Sequence, residues 1–473
     1  MRTSMKQLQT LCAPLMLAAS LAGCGPDTAQ APAALTQENP EIQVVPAVGP
    51  GAAPLAADRQ SAVDRGSVVV LDPNHAQDAT VQADLAQLVP DLRGLQGSDA
   101  RASESIVVRY RGKGRAGKRP LATPQPPTVE GTPGTEDADA MTLVAYNMAT
   151  RNEFEVRVPR SLLLRLQGQA ESTGMNRGAR LGSKGAPVEE ETSGASLQAE
   201  PKSSDALSGT SDNRSRFYGV NAPVTAWERQ RISDFGGCTA TLIGPRHVIT
   251  AAHCVYTAGA MDPWADDVSI RVARNGTSQL GQVTIDNDNI PAGQVLWYWV
   301  PQGWINSQHH QYDISIIVTP ARIGDTTGGW MGWWVLDAVA LAGQSLWNAG
   351  YPGCNTTLPD GTPRTDDPSP CSENHLYGDV GTCSPGTYTN EDGNGWNRSF
   401  RHRCDASGGQ SGSPVYLNYN NQGWGVTGVH VNSLCGTTAT NGCSAADSVR
   451  PLRATRITPE YGGMISYFRN LYQ

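Results

Sequence analysis

Cys238-Thr-Ala-Thr-Leu-Ile-Gly-Pro-Arg-His-Val-Ile-Thr-Ala-Ala-His-Cys254 reads as a β-hairpin. Residues 239–243 and 247–250 are rich in Thr, Ile, Leu and Val, which suit a pleated, half-buried surface, and Gly244-Pro245 supplies the turn between them. The second strand ends in Thr250-Ala-Ala-His-Cys, where small side chains let the backbone close around the His253 imidazole. A lone histidine is usually a surface or structural residue. Here a cysteine at each end, Cys238 and Cys254, would close the hairpin, and the whole pattern points to an imidazole held in a cleft.

Working outward, Asp405-Ala-Ser-Gly-Gly-Gln-Ser-Gly-Ser-Pro414 frames Ser411 with glycines. Glycine before a nucleophile lets the backbone turn so that the N–H groups of Gly409 and Ser411 aim at a developing oxyanion, as acyl transfer requires. Gly343-Gln-Ser345 is a weaker match, because it lacks the following glycine and runs into Leu346-Trp347 like a buried strand. The imidazole also needs a carboxylate on its second nitrogen. Tyr312-Asp313-Ile-Ser-Ile-Ile-Val318 fits best, since Asp313 stands at the mouth of an apolar strand, where an unpaired charge would be costly. In isolation it could equally be a strand cap; Asp286, Asp288 and Asp325 sit in turn-like contexts and fit less well. The chain order His253, Asp313, Ser411 separates this constellation from the Ser-acid-His order of α/β-hydrolases and the Asp-His-Ser order of subtilisin-type enzymes.

The rest of the 473 residues sets the context. At roughly 150 residues per domain the length suggests two or three units. With 51 Gly, 32 Pro and 17% charged residues the chain suits a loop-rich β protein, and a net charge of -8 offers no basic field for a phosphate backbone, so nucleic acid is not an expected partner. Closely spaced strand-like runs, among them residues 268–272, 314–318, 415–417 and 424–431, predict an all-β sandwich or barrel after Ser211. Arg2 and Lys6 precede a short apolar stretch over residues 11–21, as in a signal peptide, so export is expected. Leu21-Ala-Gly-Cys24 resembles a lipobox, in which Cys24 would be acylated and hold the precursor at a membrane; ordinary cleavage near Ala22 or Gly23 with Cys24 incidental is the alternative.

Of the 10 cysteines, those from Cys238 onward form an even set in an exported chain and read as disulfides. Cys435 with Cys443 is the expected local pair, whereas Cys354, Cys371, Cys383 and Cys404 allow three pairings that the sequence leaves open. No Cys-x-x-Cys pair or His-Glu-x-x-His helix appears, so neither a metal nor a cofactor is expected. The tryptophans at 297, 299, 304, 330, 333 and 334 are read as core packing. Residues 1–23 form the lipoprotein-type signal and 24–66, rich in Ala, Pro, Gln and Gly, a disordered tether. Within residues 67–167, the segments 67–71, 106–110, 141–146 and 154–158 predict strands and 160–167 a helix. Residues 168–210 turn polar and read as a linker open to proteolysis.

At these residues the chain resembles the chymotrypsin-type serine peptidases, and within them the bacterial glutamyl endopeptidases. The match covers residues 211–473 and rests on Ser211-Asp-Asn-Arg214, the Cys238 hairpin, Arg274-Asn-Gly-Thr-Ser278, Tyr312-Asp313, Gly350-Tyr-Pro-Gly353, Gly408-Gly-Gln-Ser-Gly-Ser-Pro-Val415, Val429-His-Val-Asn432 and Thr455-Arg-Ile-Thr458. The resemblance implies two antiparallel β-barrels of the chymotrypsin type, about six strands each, in a monomer acting on proteins or peptides. It makes residues 67–167 a small α+β or partly disordered prosegment removed on maturation. It also implies a triad of His253, Asp313 and Ser411 with Gly409 and Ser411 as the oxyanion hole. Trypsin-type zymogens carry Asp directly before the nucleophile to pair with the new amino terminus; here that residue is Gln410. For specificity, His430 matches the histidine that helps receive a substrate Glu, while the usual Thr or Ser five residues before the nucleophile is Ala406, with Ser407 next to it. Asp405 supports the competing reading, a preference for Arg or Lys. A lipid-anchored binding protein whose peptidase-like domain no longer cuts is the alternative from another class; no triad residue is missing to support it.

Overall fold

The computed structural model describes residues 44–46, 67–71, 78–88, 106–118, 137–181, 214–266, 268–285, 296–354, 371–372, 374–379, 383, 398–433 and 452–472. All belong to one unit, Ile42–Gln473; the other, Met1–Glu41, contains no described residue. The expected signal peptide, the Cys24 lipobox and the Cys435–Cys443 pair therefore lie outside the described residues.

The architecture is mostly β, as expected, and rests on two sheets. The first has twelve strands in the order Val44–Pro46, Ser67–Leu71, Ile106–Lys113, Asn152–Pro159, Ala140–Asn147, Trp297–Pro301, Ser315–Val318, His247–Thr250, Thr239–Leu242, Ile232–Asp234, Val268–Val272 and Gly281–Ile285. The second has eight, running Ser399–His402, Leu452–Arg456, Trp424–Ser433, Pro414–Asn418, Trp347–Gly350, Tyr377–Asp379 and Arg214–Arg216, with Gly332–Trp333 alongside Trp424–Ser433. The Cys238 hairpin forms as its sequence predicts, with Thr241 opposite Ile249 and Leu242 opposite Val248, and the Cys238–Cys254 disulfide closes it. Cys354–Cys371 and Cys383–Cys404 resolve the pairing that the sequence left open.

The N-terminal region does not stand apart. Ala140–Asn147 pairs antiparallel with Trp297–Pro301, placing Trp299 opposite Ala145, so the N-terminal strands continue the sheet that carries His253. The helix Arg160–Thr173 packs on the C-terminal helix Pro459–Leu471 so closely that a Cβ at Gly463 would lie 2.0 Å from the Leu163 carbonyl oxygen. Residues of both regions share one buried cluster, from Val81, Leu85 and Leu163 to Trp299 and Phe468. The six tryptophans are buried, as packing predicts.

Two sequence boundaries need correction. The helix expected over 160–167 runs on to Thr173 because Ala170 continues its buried face, and Ala179–Arg180 then pairs with Gly329–Trp330, so ordered structure extends past the expected linker start at 168. In the tether expected to be disordered, Val44–Pro46 pairs in parallel with Val69–Leu71, the Val44-Val45 dipeptide being its β-branched point.

Candidate active site

Strand pairing brings the first two site residues together. His247–Thr250 lies antiparallel to Ser315–Val318, with Thr250 opposite Ser315. One single-turn 3₁₀ helix, Ala252–Cys254, follows the first strand, and another, His310–Tyr312, precedes Asp313 and the second strand. Asp313 Oδ2 lies 2.6 Å from His253 Nδ1, and Asp313 Oδ1 accepts the His253 N–H at 2.9 Å. Both carboxylate oxygens thus fix one residue, ring and backbone together, and hold the ring proton on Nδ1. His253 Nε2 is left as a buried lone pair with no hydrogen-bond partner. Trp304 covers the ring, centroid to centroid 6.2 Å, which keeps the pair in a low-dielectric setting. The Thr455 hydroxyl lies 2.6 Å from the His310 carbonyl and 3.1 Å from that of Asp313, tying the turn before the carboxylate to the second sheet.

Ser411 arrives from that second sheet on the turn leading into Pro414–Asn418. Its carbonyl accepts the Thr239 N–H at 2.7 Å and lies 3.7 Å from Cys254 Sγ, so the base of the Cys238 hairpin docks the serine turn beside His253. Gly409 has φ of 92°, and a Cβ there would lie 2.4 Å from the Gly353 nitrogen. Only glycine fits that conformation in that space. Among the described residues, neither the Gly409 nor the Ser411 N–H has an acceptor, although Gln410, Gly412 and Ser413 on either side all donate to backbone carbonyls. Two unspent donors on either side of Gln410, beside a serine and the free imidazole nitrogen, can stabilise a tetrahedral oxyanion.

The expected pocket residues cluster next to these groups. His430 is buried, with Nδ1 3.3 Å from His402 Nε2, and the Cys404 N–H donates to His402 Nδ1 at 3.2 Å. His402 therefore carries its proton on Nε2 and donates to His430, whose own proton then sits on Nε2. Burial pushes His402 down to about 3 and His430 well below the ordinary histidine value, and the charges of His402, His253 and Arg214 add to the effect at His430. Ser407 Oγ accepts from Arg214 Nη1 at 2.7 Å, which leaves the hydroxyl proton available to another acceptor. Asp405 is fully buried, its N–H donating to Asp379 Oδ2 at 3.1 Å, while Ser345 is exposed. Asp325 pairs with Arg322 on the surface. Asp286 and Asp288 lie outside the described residues.

Sequence reading missed His402 and Arg214. His402 sits between Cys383 and Cys404 in a stretch read as an insertion, and nothing local marks it. Arg214 ends the Ser211-Asp-Asn-Arg214 motif, but its contacts are with residues almost two hundred positions away. Two groupings have metal-ligand proximity among the described residues, Cys238 with His253 and Cys254, and Asp379 with Cys383 and Cys404; in each the two sulfurs are already a disulfide and are not thiolates.

Residues 238–429 match the family model described as a trypsin-like peptidase domain. The chain is 28% identical over 269 residues to the glutamyl endopeptidase of Bacillus licheniformis, covering 56% of this chain and 69% of that relative. It is 29% identical over 237 residues to the extracellular metalloprotease of Bacillus subtilis, covering 50% of this chain and 58% of that relative, less than two thirds of its length. Among solved structures, a Glu endopeptidase in complex with MPD matches at 22% identity and TM-score 0.38, over 56% of this chain and 99% of that one. The protease Anisep from Arthrobacter nicotinovorans matches at 21% identity and TM-score 0.33, over 50% and 90%.

Proposed function

We propose that His253, Asp313 and Ser411 are the catalytic triad of a serine endopeptidase of the chymotrypsin type, whose trypsin-like peptidase domain spans residues 238–429. The observation that carries this reading is the pairing of His253 Nδ1 with Asp313 at 2.6 Å while Nε2 stays unpartnered beside the serine turn. In that arrangement Ser411 Oγ attacks the scissile carbonyl and His253 Nε2 takes its proton. The Gly409 and Ser411 N–H groups hold the oxyanion, and His253 returns the proton to the leaving amine; water then repeats the cycle on the acyl-enzyme.

The pocket favours Glu, or Asp, before the cut. A His430 Nε2–H and the spare Ser407 hydroxyl proton both suit a carboxylate, and the buried Asp405 is the group that would instead favour Arg or Lys. The glutamyl endopeptidase name of the Bacillus licheniformis relative agrees with the acidic choice. The enzyme is exported and made as a precursor cut near Ser211, with Cys24 anchoring the precursor and protein substrates met outside the cell.

The test is a panel of chromogenic peptides with Glu, Asp, Arg, Lys, Phe or Ala at the position before the cut, alongside labelling by a fluorophosphonate. Glu-preferring cleavage, lost with labelling in Ser411→Ala, is expected. Arg or Lys preference would move the specificity to Asp405, and neither cleavage nor labelling would sink the triad.

A further inference from the structure

Arg214 is fully buried on the strand Arg214–Arg216, where it stands opposite Asp379. A guanidinium in that position is costly unless its donors are well used. Its Nη1 donates to Gln410 Oε1 at 2.6 Å as well as to Ser407 Oγ at 2.7 Å, and Gln410 Oε1 also accepts the Ser407 N–H at 3.0 Å. One nitrogen therefore ties together the two ends of Ser407-Gly-Gly-Gln410, the loop that holds Gly409 in its left-handed conformation and hands on to Ser411. The same loop contains the two N–H groups with no acceptor.

We propose that Arg214 is the positioning residue of the oxyanion loop, clamping Ser407 and Gln410 so that the Gly409 and Ser411 N–H groups stay aimed at the tetrahedral oxyanion. The inference rests on the Ser411 reading above and adds to it the part that holds the loop. A Gly-Gly segment has the largest conformational freedom of any dipeptide, so an oxyanion hole built on Gly408-Gly409 needs an external restraint to remain formed before substrate arrives. A charge-assisted hydrogen bond from a buried cation supplies one. Because Arg214 lies after Ser211 in the chain, the clamp is present whether or not the chain has been cut near Ser211. The hole does not wait for a new amino terminus, which agrees with Gln410 standing where a trypsin-type zymogen has Asp.

The experiment compares the full chain with Arg214→Met, Arg214→Lys, Gln410→Met and the double variant Arg214→Met/Gln410→Met. It measures the rate of Ser411 labelling by a fluorophosphonate, kcat and KM on a Glu peptide, and folding by near-UV circular dichroism and melting. Loss of aimed oxyanion donors should lower kcat and labelling on the order of a hundredfold in each Met variant, with KM changed by less than about threefold. The double variant should be no worse than either single one, because both break the same clamp. Arg214→Lys, which keeps the charge but loses the rigid fork, should fall between. A folded Arg214→Met that labels at the wild-type rate, an effect confined to KM, or additive losses in the double variant would overturn the proposal. If Arg214→Met does not fold, Gln410→Met decides alone: a hundredfold loss supports the clamp and a wild-type rate removes it. A wild-type chain that never labels would instead bring down the Ser411 reading itself.

Discussion

Asp313 determines which nitrogen of His253 is basic, and it does so with both oxygens, one on the ring and one on the backbone N–H of the same residue. Replacing it by Asn keeps the shape but offers the ring a donor where it needs an acceptor. Asp313→Asn should therefore lower kcat on the order of ten thousandfold with little change in KM, and stopped-assay kinetics on a Glu peptide would show it; a loss under about tenfold would mean that the carboxylate is a strand cap. His402 works one step further out, since its Nε2 proton fixes the tautomer of His430. His402→Leu should cut kcat/KM for Glu peptides by about ten- to a hundredfold, the value of one hydrogen bond to a charged group, while fluorophosphonate labelling of Ser411 stays at the wild-type rate. Equal losses in both assays would show that the histidine supports the fold and not the pocket. At this scale the sequence was most legible where chemistry is packed into short motifs: ten residues or so are enough to single out His253 and Ser411 as candidates. His402 and Arg214 were not legible, because their meaning is a contact across the fold and their neighbours in sequence carry no glycine framing or pattern to mark them.

Elements followed the sequence closely wherever a period was visible. The strands over 239–242, 247–250, 268–272 and 424–433 stand where alternating or continuous apolar runs put them. What the period could not tell is which strands pair, and the edge between Ala140–Asn147 and Trp297–Pro301 joins residues about 150 positions apart. The C-terminal helix Pro459–Leu471 was not foreseen either, for Gly462-Gly463 lies in its middle and argues against a helix on propensity. The structure gives the reason for those glycines: the Arg160–Thr173 helix crosses there with backbone against backbone, and Glu460 at the helix start takes Arg160 Nη2 at 2.7 Å. Gly463→Ala sets two effects against each other. Propensity would gain about 1 kcal/mol, whereas the new Cβ would collide with the Leu163 carbonyl, an overpacking that costs about 1–3 kcal/mol even in a core able to shift. Because the obstacle is backbone, the clash wins, and the melting temperature of the full chain should fall. A rise would mean that the two helices are not held together at this crossing.

The whole molecule carries buried histidines that make it sensitive to acid. Burial, with the Arg469 charge next, pulls His247 down to about 3; burial also takes His402 to about 3 and His430 well below its ordinary value. Their folded values lie below the unfolded value of about 6.5, so the unfolded chain binds more protons throughout that window. Stability is therefore fully present above pH 6.5 and is lost as pH falls toward 3, by up to about 1.4 kcal/mol per pH unit for each such histidine. His247→Gln, which can keep a donor for the Phe468 carbonyl now 3.0 Å from His247 Nε2, should flatten the dependence of melting temperature on pH; an unchanged slope would remove His247 from the account. The same interior bears on the proposed cut near Ser211. The N-terminal strands extend the peptidase sheet, Tyr146 stacks on Trp264 at 4.8 Å, and Tyr467 Oη donates to the Leu88 carbonyl. Leu162, Leu163 and Leu166 are almost wholly buried, and each contributes about 1.5–3 kcal/mol, so these three alone rival much of a domain's net stability. Cutting the chain between Leu181 and Arg214 removes a covalent link but none of these contacts. The two fragments should therefore run as one species in gel filtration under native conditions and part only in denaturant. Separation in native buffer after the cut would show that the N-terminal layer is held by the chain alone, and release would then follow directly from cleavage; co-migration makes cutting and release two distinct steps, the second needing the shared sheet to open.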